Sequence, residues 1–470
     1  MWEKLKFNLS WAVIIAIMLL ITVISGTVTL FVKFRTESEF SIDPTIELAP
    51  NQVYQITYWD YPLFFGLEDD YQEFLEGAIK EFNKFYPNIE VTYELLSFSE
   101  GEAKLKNALA EDRGPDLYHD IFGAKLISQE LQLPVSPFLN LEDEAGAKEL
   151  DDYDPLALQA LSGKEEIWGL PTWLVPQVWV GNKELLAQTD LELNKVVGEG
   201  WSWQELIEVS QRLVEEDKDI IFNPHNPELF YQLLITAGKG EWLSAEGELL
   251  LTEKDLTKAF QFLEELRASD AFPREEKRMN EKLLPYFWEN QAAIIAPVNL
   301  WLLNNLYQRE LKEGVELTLL PPPSPSKLGK ESVPVEIKSL LLFRQEEYQG
   351  DDHTKAVYKF AQFITQRKNQ FLAQKLNVMP AYLPLQEEWS TEVRLKEELK
   401  VQLLDYLQRG TSQEIDSFIK FDLEKGFKEI IEQGYYNFWF EDRAISEIVT
   451  EMMVAFERII AESEQRMSEN

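Results

Sequence analysis

The chain has 470 residues and a mass of 54.8 kDa, more than one hydrophobic core usually organises, so two or three domains are expected. Its 45% hydrophobic and 12% aromatic residues mark an ordered globular protein, and 45 Lys plus Arg against 82 Asp plus Glu give a net charge of -37, which repels nucleic-acid phosphates. Cysteine is absent, which excludes disulfides, thiol catalysis and a lipidated N-terminal cysteine, and His119, His225 and His353 stand too far apart for a helix-borne metal motif, so no metal and no cofactor are expected.

The first element in chain order is WAVIIAIMLLITVISGTVTLFV, Trp11 to Val32, uncharged and flanked by Lys4 and Lys6 before it and Lys33 and Arg35 after it. As a helix it rises about 33 Å, enough to cross a bilayer. The apolar run continues through Leu30, Phe31 and Val32, longer than a cleaved signal peptide needs. An uncleaved, single-pass signal anchor is therefore the expectation, with cleavage near Ser25 or Gly26 the alternative; either way the chain after about residue 36 is exported. A buried core helix is disfavoured because the segment has no polar face. Residues 36–53, with Pro44 and Pro50 and little periodicity, read as a tether.

From residue 53 the pattern is α/β. A strand-like VYQITYWDY (53–61) precedes a helical stretch around Tyr71 to Phe85, then strand-like IEVTYELL (89–96), a helix over Glu102 to Ala110 and a short strand at Asp116 to Tyr118. That β-α-β-α-β order predicts a parallel sheet with ligands at the carboxyl ends of its strands, here Trp59-Asp60-Tyr61 and His119-Asp120. Amphipathic helices are predicted at 203–215, 254–267, 355–375 and 444–462. The last carries Ile445, Ile448, Val449, Met452, Met453, Phe456, Ile459 and Ile460 on one stripe, which is expected to pack into a core; a partner-binding face is the alternative. The turn PPPSPSK (321–327) precedes strand-like VPVEIKSLLLF (333–343).

Catalytic templates are missing: no nucleophile elbow, phosphate loop, dinucleotide fingerprint, zinc helix or calcium loop occurs. Carboxylate clusters such as Glu68-Asp69-Asp70 and Asp151-Asp152 adjoin predicted helix starts or turns, where the helix dipole and solvation account for them. Tryptophan stands out, with Trp59, Trp168, Trp173, Trp179, Trp301 and Trp439 at strand ends or in loops. An indole face stacks on the C–H face of a pyranose while Asp, Asn and Gln bond its hydroxyls; equally, each indole can be a core residue.

Five segments, in order, resemble the extracellular solute-binding proteins (family 1) of sugar ABC transporters, the maltose-binding-protein-like family. They are ITYWDY with IKEFNKFYPNIEVTYELL (79–96); KLKNALAEDRGPDLYHD (104–120); IWGLPTWLVPQVWVGNKELL (167–186) with WSWQELIEVSQRL (201–213); YFWENQAAIIAPVNLW (286–301); and AVYKFAQFITQRKNQFLAQKLNVMPAY (356–382) with the closing helix. The resemblance implies a two-lobed, type II periplasmic-binding-protein-like α/β fold with a hinge, preceded by one transmembrane helix. Lobe one would be 54–165 plus 336–390, and lobe two 166–335 plus 391–470. It further implies a non-enzymatic, membrane-anchored bacterial receptor, monomeric and extracellular, that passes a carbohydrate, an oligosaccharide, to ABC permease subunits. Carried over by segment and joined to the strand-end reading, the expected ligand-binding set is Trp59, Tyr61, Asp120, Trp173, Gln177, Tyr231, Asn299, Trp301 and Trp439. Two departures stand out: Gly181 replaces the tyrosine before the Asn-Lys pair, and Glu331-Ser332-Val333-Pro334 replaces a Gly-Gly. A ligand sensor and a secreted glycoside hydrolase are the alternative functions.

Overall fold

Alternation in YQITYWD writes the first strand: Tyr54, Ile56, Tyr58 and Asp60 are buried on one face while Gln55 and Thr57 are exposed on the other. The computed structural model describes residues 41–469 apart from 63–67, 124–126, 128–130, 144–145, 164, 223–225, 245–247, 270–286, 299–314, 327–332, 346, 377, 394, 412–417 and 442. This strand, β1 (Tyr54–Asp60), pairs in parallel with β2 (Ile89–Leu95) and β3 (Leu117–Asp120), Tyr58 lying opposite both Tyr93 and Leu117. Helices α1 (Glu68–Phe85) and α2 (Gly101–Ala110) make the crossovers, so the predicted β-α-β-α-β order is present.

The remaining strands are β4 (Gln132–Leu133), β5 (Ser162–Gly163), β6 (Glu166–Ile167), β7 (Leu170–Pro176), β8 (Trp179–Asn182), β9 (Asp219–Phe222), β10 (Ala292–Ala296), β11 (Leu317–Leu320), β12 (Val333–Phe343), β13 (Met379–Pro380) and β14 (Gly410–Thr411). One sheet runs β13-β7-β12-β3-β1-β2, with β4 and β14 also on β12; a second runs β11-β8-β10-β9. The long apolar run VPVEIKSLLLF becomes the central β12, antiparallel to both β3 and β7 and covered on both faces.

Here the expected lobe limits need a correction. Residues from 166 onward were assigned to the second lobe, yet β7 pairs along β12 from Pro176 opposite Val335 to Leu170 opposite Leu340, inside the first sheet. After β7 the chain passes to the second sheet through Gln177 and Val178, the two residues between β7 and β8, and it returns to the first sheet between β11 and β12.

The second sheet is covered by α3 (Trp203–Glu215), α4 (Glu228–Thr236), α5 (Glu253–Ala268), α8 (Phe418–Phe440) and α9 (Ile445–Glu469) on one side, around Trp179, Phe230, Phe260, Phe427 and Phe456. On α9, Ile448, Val449, Met452 and Phe456 are buried while Ile445, Met453, Ile459 and Ile460 pack against them, so the stripe is core. Another core uses Leu399, Leu403 and Tyr406 of α7 (Glu397–Gln408) against Val180, Ile295, Leu317 and Leu319. Over the first sheet lies α6 (Asp351–Leu376), touching β1, β7 and β12. Gly181 has a packing reason: a Cβ there would lie 2.6 Å from Leu186 Cδ1 and 3.0 Å from Leu320 Cδ1, leaving no room for tyrosine.

Residues 46–53 form neither helix nor strand, but they are held: Asn88 Nδ2 donates to the Ala49 and Gln52 carbonyls at 3.3 and 3.2 Å, and Lys355 Nζ to that of Ile46 at 2.6 Å. The apolar segment 11–32 lies outside the described residues, among which no helix is long and apolar enough to cross a membrane.

Local signals are strong where boundaries were predicted well. Helix α3 begins with a reciprocal cap in which Ser202 Oγ accepts the Glu205 N–H at 3.2 Å and Glu205 Oε2 accepts the Ser202 N–H at 2.7 Å. Ser202→Ala should therefore lower unfolding stability by about 1 kcal/mol in denaturant titration, and no change would show that the helix start is held by other contacts.

Candidate functional site

Because β1 alternates, Asp60 falls on the same inward face as Tyr54, Ile56 and Tyr58, which puts a carboxylate into the core at the strand's carboxyl end. Lys368, on the sheet-facing stripe of α6, answers it: Nζ donates to Asp60 Oδ1 and Oδ2 at 2.8 and 2.7 Å. Tyr58 donates to the same carboxylate at 2.6 Å, the Tyr61 backbone N–H donates at 2.8 Å, and Tyr71 also donates to it. His119, at the end of β3, sets Nδ1 2.8 Å from Asp60 Oδ1 and 2.6 Å from Lys368 Nζ. Asp60, His119 and Lys368 are all fully buried.

Charge settles the states of this group. Burial alone would raise the pKa of Asp60, but Lys368 and then His119 hold it far below the ordinary carboxylate value. Burial, helped by Lys368 and opposed by Asp60, pushes His119 down to about 4, so its ring is neutral at pH 7. Burial also lowers Lys368 to about 8 against the pull of Asp60. The result is one ion pair with a neutral imidazole, an internal brace joining β1, β3 and α6. The His119 ring meets Trp173 edge-on, with centroids 4.7 Å apart, and among the described residues neither His119 Nε2 nor Trp173 Nε1 has a hydrogen-bond partner.

Where the chain crosses between sheets, amides take over. Gln232 of α4 donates from Nε2 to Gln177 Oε1 at 2.8 Å and accepts from Trp179 Nε1 at 2.8 Å. Beside it α4 approaches β12. Burial and the Glu336 carboxylate push Glu228, in the first turn of α4, up to about 7, against Lys428 and Lys338. Lys338 Nζ holds Glu336 at 2.6 Å. Tyr231 donates to the Lys428 carbonyl at 3.0 Å and lies 3.3 Å from Glu432 Oε1.

The expected site residues thus fall into separate groups. Trp59, Tyr61 and Asp120 share the carboxyl ends of β1 and β3; Asp120 accepts the Phe122 N–H at 3.0 Å, and the Lys104 ammonium lies 4.9 Å over the Trp59 ring. Trp173 belongs to the brace, and Gln177 to the crossing. Tyr231 is nine-tenths buried beside Trp242, with ring centroids 5.7 Å apart. Trp439 is half-buried among Tyr435, Phe438 and Arg267. Asn299 and Trp301 lie outside the described residues. Sequence reasoning missed Lys368 and Glu228. Lys368 was detectable as a lysine four residues after Ile364 and four before Leu372 on an apolar helix stripe; Glu228 carries no such signal. Among the described residues no group of three or more His, Asp or Glu could hold a metal.

The family model of bacterial extracellular solute-binding proteins matches residues 66–296. Among solved structures the chain is similar to the GacH receptor of Streptomyces glaucescens, at 17% identity and a TM-score of 0.64, covering 87% of this chain and 99% of that one. It is similar also to the sugar-binding protein MalE of Xanthomonas citri, at 15% identity and a TM-score of 0.66, with coverage of 88% and 100%. The maltose/maltodextrin-binding domain MalE of Bdellovibrio bacteriovorus follows at 18% identity and a TM-score of 0.60, covering 87% and 100%. No curated protein matches the chain in sequence. These likenesses establish a two-lobed α/β fold of the periplasmic binding protein type. The family match runs from just before α1 to the end of β10, so this part of the chain is similar to the bacterial extracellular solute-binding proteins, and the periplasmic-binding-protein type of fold extends across both sheets.

Proposed function

We propose that the protein is a non-enzymatic receptor that captures a carbohydrate, an oligosaccharide, outside the cell and delivers it to the permease subunits of an ABC transporter, as a monomer and without a cofactor. The observation that carries this reading is the set of aromatic side chains at the carboxyl ends of β1, β3 and β7, in a fold of which several solved examples were determined with a sugar. GacH was solved with acarbose, the Bdellovibrio domain with maltotriose, and a Listeria monocytogenes substrate-binding protein with cycloalternan. In this reading the ligand-binding set is Trp59, Tyr61, Asp120, Trp173, Gln177, Tyr231, Asn299, Trp301 and Trp439. The lobes divide as expected from the sequence, with β7 counted to the first. Trp11 to Val32 is the uncleaved single-pass anchor, and holding the receptor at the membrane raises its effective concentration near the permease. Ligand favours the closed form only by the contacts it makes there and not in the open one.

The test is a thermal-shift screen of the full chain in detergent against mono- and oligosaccharides, with amino acids and peptides as controls. A saccharide at one hundred times its dissociation constant adds about 2.7 kcal/mol of stability. A rise in Tm with one saccharide class, the glycan recovered intact, supports the receptor; a rise with amino acids or peptides alone overturns it. A glycoside hydrolase would need two carboxyl groups flanking the scissile bond, about 5 to 9.5 Å apart. Glycan consumed in the same assay, and spared by Glu228→Gln, would decide for that reading.

A further inference from the structure

Tyr61, one of the expected site residues, anchors a rim of two further aromatic side chains that the expected set omits. Phe98, in the loop after β2, stacks on Tyr61 with centroids 5.6 Å apart and 27° between planes. Phe122, just past β3, meets Tyr61 edge-on at 5.3 Å. Tyr61 is fully buried and its hydroxyl shares a hydrogen bond of 2.9 Å with Tyr118, so the base of the rim is rigid. Gly101, at the start of α2, makes room for it: a Cβ there would lie 2.5 Å from Tyr61 Oη. Phe98 and Phe122 themselves are 40% and 42% exposed.

We infer that Phe98 and Phe122 form an outer stacking subsite for a neutral pyranose ring, so that the receptor takes an oligosaccharide long enough to run from the β1 and β3 strand ends onto this rim. The inference deepens the carbohydrate reading and rests on it. The occupant follows from the surroundings. Asp120 and Glu102 place negative charge near Tyr61, and with a chain charge of -37 they disfavour an acidic glycan or a phosphate. A neutral sugar offers what the rim lacks, an apolar C–H face for the phenyl rings and hydroxyls that donate to carboxylates. Both rings pack on Tyr61, which directly follows the carboxyl end of β1.

The experiment is calorimetric titration of the full chain, wild type and variants, with α-1,4- and β-1,4-linked gluco-oligosaccharides of two to seven units in parallel series. Phe98→Ala and Phe122→Ala should each weaken the longest oligosaccharides by roughly three- to tenfold and leave the disaccharide unchanged, while Phe98→Tyr keeps wild-type affinity at every length. Equal losses at all lengths, or no loss at any, would overturn the rim while leaving the carbohydrate reading intact. Wild-type protein that binds neither series overturns the inference together with the reading beneath it.

Discussion

Replacing Lys368 by methionine is expected to destabilise the fold by about 3 to 5 kcal/mol, because it strands the Asp60 carboxylate in the core without its cation. The pair is worth far less than that as an attraction, since bringing both charges out of water offsets most of what they gain from each other. The double variant Asp60→Asn/Lys368→Met should therefore recover most of the loss. Urea unfolding followed by circular dichroism reads both, and a single-variant loss below about 1 kcal/mol would show that Asp60 finds other compensation.

The second large effect is on the pH profile. With its pKa pushed down to about 4 from an ordinary 6.5, His119 in the folded chain refuses a proton that the unfolded chain accepts, so its contribution is present above 6.5 and is lost as pH falls toward 4. Across that window the loss amounts to about 3 kcal/mol. Glu228 works the other way: raised from 4.5 to about 7, it keeps a proton in the folded chain that the unfolded chain releases, and its contribution is lost as pH climbs through 7. Between about 4.5 and 6.5 the two slopes oppose each other. Relative to wild type, stability of His119→Asn should rise as pH falls through this range, and that of Glu228→Gln should fall. Parallel profiles for all three proteins would refute the assignment of either group.

The sequence shows its secondary structure where periodicity is strong. Helix α3 and strand β12 fall on their predicted residues, 203–215 and 333–343, because a capping serine and a continuous apolar run are local signals. Strand β7 was misplaced for a physical reason: LPTWLVP says that it is buried, not which neighbour buries it, and the partner lies well over a hundred residues away in β12. The brace shows the same limit. Asp60 and His119 were legible as strand ends, but their burial depends on Lys368, which only the packing of α6 brings to them. Phe98 and Phe122 were unremarkable in sequence until Tyr61 joined them from a third segment.

The short passage between the two sheets has a mechanical consequence. Gln177 donates its backbone N–H to the Pro334 carbonyl at 2.7 Å, so β7 and the start of β12 leave the first sheet side by side as a two-stranded ribbon. Pro176 and Pro334 each lack an N–H and hold φ nearly fixed, which thins the ladder and stiffens both edges at the same point. Such a ribbon behaves as a leaf spring, compliant to bending across its flat face and resistant to bending in its plane. Were the two sheets to move against each other, this connector would favour bending across its flat face over torsion.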